Sequence, residues 1–306
     1  MERRDFIKKS ISAGLVSSAA LSFIGFDKAF AATTTSGPYD LIAVKGGKPE
    51  DMFDRGIASM GGIKKYIKPG ATVTVKPNIG WDAIPAKAAN TNPELVGHIV
   101  KQCLSAGAKK VYVFDNTVNE WTRCYRNSGI EKAVKDAGGT IVTGKSESHY
   151  RTVKIPNGKV LKEAKVHELI LDVDTVINVP ILKNHDGAQL TIAMKNLMGI
   201  VWDRKFWHAN DLNQCIADFA SFHKPTLNVV DCYRVMKRNG PRGVSVSDVV
   251  DMGALLISED IVAADTAAAK MFGLEPDHIK YITMANDMGI GEKDLSKLKI
   301  NRIKLS

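Results

Sequence analysis

The residues of this chain best suited to chemistry are lysines and histidines placed just after short apolar runs. Val75-Lys76-Pro77-Asn78 leaves one run, Asp115-Asn116-Thr117 a second, and Ile181-Leu182-Lys183-Asn184-His185 a third. Asp231-Cys232 follows a fourth, Lys195 comes after His185, and His208 closes the aromatic stretch Trp202, Phe206 and Trp207. Lys76, Lys183 and Lys195 carry the positive charge that a carboxylate or phosphate needs, and Asn78, Asn116, Thr191 and Asn196 are polar partners for the same anion. Neutral imidazole moves protons and ligates metals near neutral pH, so His185 and His208 are candidates for both tasks. Asp115 or Asp231 would orient a histidine or complete a metal site. A desolvated Lys195 is also a candidate nucleophile. Catalysis is therefore expected at His185, Lys195 and His208, and any metal at His185, His208, Asp115 and Asp231.

These residues need a scaffold that collects strand ends. Apolar runs with strand character fall at Tyr39–Val44, Ala71–Lys76, Lys110–Asp115, Thr140–Thr143, Thr175–Pro180, Thr226–Asp231 and Ala254–Ser258. Helical periodicity falls at Pro49–Tyr66, Pro93–Ala106, Gly129–Ala137, Gln189–Val201, Leu212–Phe222 and Ile261–Phe272. Strands alternating with helices predict an α/β fold, a mostly parallel sheet with helices on both faces. In such sheets ligands bind beyond the carboxyl ends of the strands, where the lysines and histidines would gather. On a helix over Gln189–Val201, Thr191 and Lys195 would lie together at the crevice edge. Val153-Lys154-Ile155, then Pro156-Asn157-Gly158, breaks the rhythm and reads as a small hairpin insert over residues 151–170.

The first residues carry an address. Arg3-Arg4-Asp5-Phe6-Ile7-Lys8-Lys9 precedes a mostly apolar run from Ile11 to Phe26, then Ala29-Phe30-Ala31, a small-x-small cleavage site. That order predicts a twin-arginine export signal over residues 1–31, a linker over 32–38 and one α/β domain over 39–306. The apolar run falls short of the roughly 20 residues of a spanning helix, so no stable membrane span is expected after cleavage. The expected location is periplasmic or otherwise exported, with the twin-arginine translocase as partner. Because that route carries folded cargo, it also fits a cofactor inserted before export.

The 306 residues hold 42 Lys and Arg against 33 Asp and Glu, a net charge of +9, or +7 without residues 1–31. The basic residues are scattered without interleaved aromatics, which argues against a nucleic-acid partner and for a small anionic ligand. No GxGxxG, Walker loop, HExxH or GxSxG occurs, so nucleotide, zinc-protease and serine-hydrolase classes lack support. The four cysteines form no CxxC. Cys103 and Cys215 fall on apolar helix stripes, whereas Cys124 and Cys232 each come after an expected strand, which leaves a disulfide or soft-metal site open.

In order and spacing, the chain resembles the family called domain of unknown function 362. The matching pieces are Val75-Lys76-Pro77-Asn78, Asn92-Pro93-Glu94-Leu95-Val96, Gly107-Ala108-Lys109-Lys110-Val111 and Ser128-Gly129-Ile130. They continue through Val176 to His185, Thr191, Met194-Lys195-Asn196-Leu197-Met198-Gly199, His208, and Ser258-Glu259-Asp260 through Ala263 and Asp265. The resemblance implies that Lys76, Asn78, Lys183, His185, Lys195, Asn196 and His208 belong to one site; it implies no particular reaction. Asn184 stands where many members carry Thr, and the CxxC module fused to some members is missing. The succession His185, Lys195, His208 is also similar to the arrangement in lactate racemases with a nickel-pincer cofactor, where the lysine holds the cofactor and histidines serve the metal and proton transfer. The function expected is an exported enzyme acting on a small anionic substrate, with a metal ion or metal-containing cofactor open. The alternatives are a periplasmic ligand- or metal-binding protein and a redox or iron–sulfur protein.

Overall fold

The computed structural model describes residues 38–306. The expected export signal and all but the last residue of the expected linker lie outside the described residues. In chain order the main elements are β1 (Leu41–Lys45), α1 (Pro49–Ser59), β2 (Thr72–Pro77), α2 (Pro93–Ser105) and β3 (Lys110–Val113). Next come α3 (Trp121–Asn127), α4 (Ile130–Asp136), β4 (Thr140–Ile141), β5 (Tyr150–Lys154) and β6 (Glu163–His167). Then follow β7 (Thr175–Val179), β8 (Ile181–His185), β9 (Gln189–Thr191), α5 (Leu212–Phe222) and β10 (Leu227–Met236). The last are β11 (Val249–Ser258), α6 (Ile261–Phe272), α7 (Lys280–Asp287) and β12 (Ile300–Lys304).

One sheet runs in the order β12-β1-β11-β10-β7-β2-β3-β4, with β8 and β9 branching from β10. Along that order only β11 runs against its neighbours. Alternating side chains of the buried strands feed two separate cores, as expected for a sheet covered on both faces. Ile42, Val44, Val73 and Val75 pack with α1, α2 and α4 on one face. Leu41, Ala43, Val230 and Leu256 pack with α5, α6 and α7 on the other. This is the mixed α/β architecture that the strand–helix alternation predicts.

Helix starts are set by local chemistry. Asn92 accepts the amide hydrogens of Glu94 and Leu95 ahead of Pro93, and Asp260 accepts those of Val262 and Ala263 at the start of α6. The helix expected over Pro49–Tyr66 stops at Ser59, because Gly61 and Gly62 take left-handed backbone (φ 100 and 82°) before a short 3-10 turn, Ile63–Lys65. The insert is an antiparallel pair, with Tyr150 opposite His167 and Lys154 opposite Glu163. Its second strand begins at Glu163, later than the Lys159-Val160-Leu161 arm expected from sequence.

The helix expected over Gln189–Val201 is corrected. Gln189–Thr191 is a strand paired antiparallel with β8, Thr191 opposite Lys183. A single α turn, Ala193–Asn196, follows, and then a 3-10 turn, Leu197–Ile200. Helical apolar spacing is present, but tertiary contacts decide where the helix begins. The buried carboxyl of Asp265 on α6 accepts the amide hydrogens of Ala193 (2.6 Å) and Met194 (3.1 Å), so the turn starts there. The cysteine expectation is corrected as well. All four cysteines are free and buried. Cys124 lies on α3 in one core and Cys232 within β10 in the other, on opposite faces of the sheet.

Replacing Asp265 by Ala leaves two buried amide hydrogens without acceptors. Each such orphan costs about 1–3 kcal/mol, so urea unfolding should show a stability loss of roughly 2 kcal/mol or more. A loss under about 0.5 kcal/mol would mean that the Ala193–Asn196 turn does not depend on this carboxylate.

Candidate functional site

The parallel strands β2, β3 and β7 deliver their carboxyl ends to one end of the sheet. A cavity of about 660 Å³ opens there. Lys76, Asn78, Asp115, Lys183, His185, Thr191, Lys195, Asn196 and His208 all line it. Two residues expected with them do not. Asn116 faces a neighbouring cavity and donates to the Val201 carbonyl (3.0 Å). Asp231 is buried in β10, where its carboxylate accepts the amide hydrogens of Asn92 (2.8 Å) and Tyr233 (3.0 Å) and so anchors the start of α2. Ser258-Glu259-Asp260 also departs from this end. Because β11 is antiparallel, its last residue Ser258 pairs with Leu41 at the start of β1, and Glu259 binds Lys65 and Tyr66 instead.

The chain reaches the cavity through an interrupted strand. Residue 180 is a proline between β7 and β8. Pairing with β10 shifts across it, from Leu227 and Asn228 opposite β7 to Asp231 and Met236 opposite β8. The displaced β8 then carries Lys183 and His185 over the sheet edge. The Ala193–Asn196 turn comes back under it with Lys195 and Asn196.

The three lysines are not equivalent. The Lys76 ammonium has three partners: the Pro77 carbonyl (2.8 Å), the Asn196 Oδ1 (3.1 Å) and the Asp115 carboxylate (3.1 Å). Two oxygens accept its hydrogens and the Asp115 carboxylate balances its charge, so Lys76 is firmly held. Lys183 donates to Asn78 Oδ1 (3.2 Å) and to the Ala89 carbonyl. Among the described residues, Lys195 reaches only the Met198 thioether (3.4 Å). Burial lowers the pKa of all three, and for Lys195 burial together with the charges of Arg204 and Lys76 brings it to about 7. Its amine therefore exchanges its proton in the neutral range, and among the described residues no oxygen acceptor holds it.

His185 is fixed in one tautomer. Its Nδ1 accepts the amide hydrogens of Gly187 (3.1 Å) and Ala188 (3.3 Å). The proton of the neutral ring is then on Nε2, which makes that nitrogen a donor. Burial, followed by the charges of Lys195, Lys183 and His208, pushes its pKa down to about 2, so the ring stays neutral. His208 sits exposed at the rim, its pKa lowered by desolvation and by Lys195 and Arg204.

The proposed metal set does not assemble. The Asp115 carboxylate is taken by Lys76 and by the Ile79 amide hydrogen (2.7 Å), and Asp231 is elsewhere. Metal binding at His185 Nε2 would move the proton to Nδ1, against two amide hydrogens. Among the described residues, no group of three or more His, Cys, Asp or Glu can hold a metal ion. A metal centre like that of the lactate racemase arrangement is therefore not supported by these side chains.

Two of the cavity-wall residues outside the expected set bear directly on the lysines. Arg204 donates to the carbonyls of Asn116 (2.7 Å) and Thr117 (3.0 Å) and adds a further positive charge beside Lys195. It stands in Trp202-Asp203-Arg204-Lys205, where aromatic residues dominate the reading and the intervening charges are easily passed over. Gly199 is the second. A Cβ there would come within 1.8 Å of the Asp115 carboxylate and 2.5 Å of the Lys76 ammonium. Its signal is the Met194–Gly199 motif, whose glycine has no obvious helical role.

An α/β chain with this basic cavity at its strand ends belongs to the family described as Domain of unknown function (DUF362), which matches residues 73–270. A curated relative, the thylakoid-associated protein sll1697 of Synechocystis, is 25% identical over 239 residues, covering 76% of this chain and 72% of its own length. Among solved structures, the lactate racemase apoprotein from Thermoanaerobacterium thermosaccharolyticum aligns over 78% of this chain with 13% identity and a TM-score of 0.46. A Thermotoga maritima protein aligns over 79% with 11% identity and a TM-score of 0.43. The chain spans 58% and 60% of the lengths of those two.

Gly199→Ala should force Asp115 and Lys76 apart. Overpacking of this kind costs about 1–3 kcal/mol, to be read from urea unfolding. An unchanged midpoint would mean the contact relaxes freely.

Proposed function

We propose that this protein is an enzyme acting on a small anionic substrate, with Lys195 as the group that takes up a proton or attacks the substrate. The observation that carries the reading is the Lys195 amine, buried, without an oxygen acceptor among the described residues and set among Lys76, Lys183 and Arg204. Burial, followed by the charges of Arg204 and Lys76, holds Lys195 neutral above about pH 7, and positive charge around it favours a carboxylate or phosphate. His185 Nε2–H would donate to a substrate oxygen, and its neutral ring loses no charge in doing so. His208 at the rim is the second candidate for proton transfer. A purely ligand-binding protein would share the cavity but would have no use for an amine poised near neutrality.

The export signal over residues 1–31 supports a place of action outside the cytoplasm, after passage through the twin-arginine translocase. Among the described residues, no helix is long and apolar enough to cross a membrane.

The sign of the pH dependence follows from Lys195. Its ammonium form attracts an anion and prevails below about pH 7, so anion affinity should fall as pH rises through that value. In Lys195→Met this dependence should flatten. Calorimetry with acetate, oxalate and phosphate from pH 6 to 9 checks it, and equal slopes in the two proteins would remove Lys195 from the site. Conversion of a panel of short carboxylic and phosphoric acids, followed by NMR, tests catalysis. The reading expects turnover in the wild type that Lys195→Met abolishes and His185→Gln reduces by a factor of about 10–1000. Binding without any turnover would favour the binding protein.

The same amine bears on stability. Its pKa is about 7 when folded and near 10.5 unfolded, so the unfolded chain holds the extra proton between those values. Stability from this group therefore rises with pH from about 7 toward 10.5. Urea unfolding of wild type and Lys195→Met across that window should converge at high pH.

A further inference from the structure

The wall of the lysine cavity offers few groups able to form a bond to a substrate. Among the described residues no Cys or Ser lines it, and the Asp115 carboxylate is taken by Lys76 and the Ile79 amide hydrogen. Four lysines remain. Lys76 is held against that carboxylate, which favours its ammonium form, and an ammonium has no lone pair to share. Lys183 is tied to Asn78 and the Ala89 carbonyl, and Lys205 is exposed. Lys195 differs from all three: it is buried, turned to a thioether that accepts weakly, and crowded by like charge. A desolvated amine beside other cations is the form of lysine that attacks carbonyl carbon at neutral pH. Two neighbours suit such a carbonyl. The charge that acts most on His185 is that of Lys195, so the Nε2–H donor stands close to the amine, where the attacked oxygen needs one. The charges that act most on Lys195 are those of Arg204 and Lys76, which suit a carboxylate bonded to the attacked carbon.

We propose that Lys195 forms an imine with the carbonyl carbon of a 2-oxo acid whose carboxylate rests among the neighbouring cations. This inference rests on the anionic-substrate reading above and narrows the substrate class to acids with a carbonyl carbon next to the carboxylate. The step balances without a co-reactant. The neutral amine attacks the carbonyl carbon and the C–N bond forms. The former carbonyl oxygen, held by the His185 Nε2–H, takes one proton from the attacking nitrogen. The nitrogen lone pair then breaks the C–O bond, and that oxygen leaves as water with the second nitrogen proton. The carboxylate brings the negative charge that the cavity lacks, and a plain ketone does not.

The test traps the adduct on the wild-type protein, so it needs no variant to fold. Pyruvate is added with sodium cyanoborohydride, which reduces an imine to a stable secondary amine, and the digested protein is mapped by mass spectrometry. Lys195 should gain the carboxyethyl group at least about tenfold faster than any other lysine. Acetone, which has the carbonyl without the carboxylate, should label Lys195 about tenfold more slowly than pyruvate does. Label spread evenly over the exposed lysines, or confined to Lys183, overturns the inference. So does acetone that labels Lys195 as fast as pyruvate. Calorimetry with pyruvate, acetate and phosphate separates the two readings. If these anions bind and Lys195 stays unlabelled, the imine is wrong and the anionic reading stands. If none binds and Lys195 stays unlabelled, both fall.

Discussion

Three buried lysines share one cavity with a single carboxylate, Asp115, and the rest of the site is arranged to make that tolerable. Neutral amides supply most of the holding. Asn196 accepts from Lys76 and Asn78 through its oxygen, and its nitrogen donates to the Lys76 carbonyl and to Asn178. Asn178 passes on to Asn228, and Asn228 to the Ser258 carbonyl. The chain of amides crosses β2, β7, β10 and β11 at right angles to the strands. A fully satisfied buried network of this kind is rigid, and it adds no second negative charge to compete for the ammonium groups.

The result is an uneven division of labour among like residues. Lys76 and Lys183 are spent on carbonyl and amide oxygens, and both are buried. Lys195 stands on the one short turn that Asp265 starts, next to a thioether that satisfies it poorly. Mutual repulsion and loss of water act on all three and lower the pKa of Lys183 well below its usual range, but among the described residues only Lys195 meets a thioether in place of an oxygen. A negative ligand relieves it by the same electrostatic terms that create it.

Much of this architecture is legible in the residues. Apolar runs alternating with helical stripes define the sheet and the long helices, because both periodicities come from burial. The long helices Pro93–Ser105, Leu212–Phe222 and Ile261–Phe272 also announce their first residues through Asn92, Asp211 and Asp260. What the pattern hides is whatever long-range contacts decide. The turn at Ala193 begins where a carboxylate far along the chain caps it. The strand Gln189–Thr191 exists because β8 lies beside it. The reversed direction of β11, which sends Glu259 to the far end of the sheet, has no local signature. Asp231 looks like a strand-end ligand in sequence, yet its lone pairs are used by backbone around Asn92 and Tyr233. Gly199 matters for a volume that only the folded neighbours define.

The pinned ring of His185 has a consequence for selectivity. With Nδ1 turned to the backbone, the imidazole can offer the cavity only a hydrogen, and Arg204 and, below about pH 7, Lys195 likewise offer only hydrogens. This stretch of wall speaks in one polarity. A guest bearing an amide or ammonium hydrogen there would set donor against donor, at about 1–3 kcal/mol for each polar group left unmatched. Bare oxygens meet no such penalty. The site would thus separate an acid from its own amide, two molecules of nearly the same shape, without any change in the size of the opening.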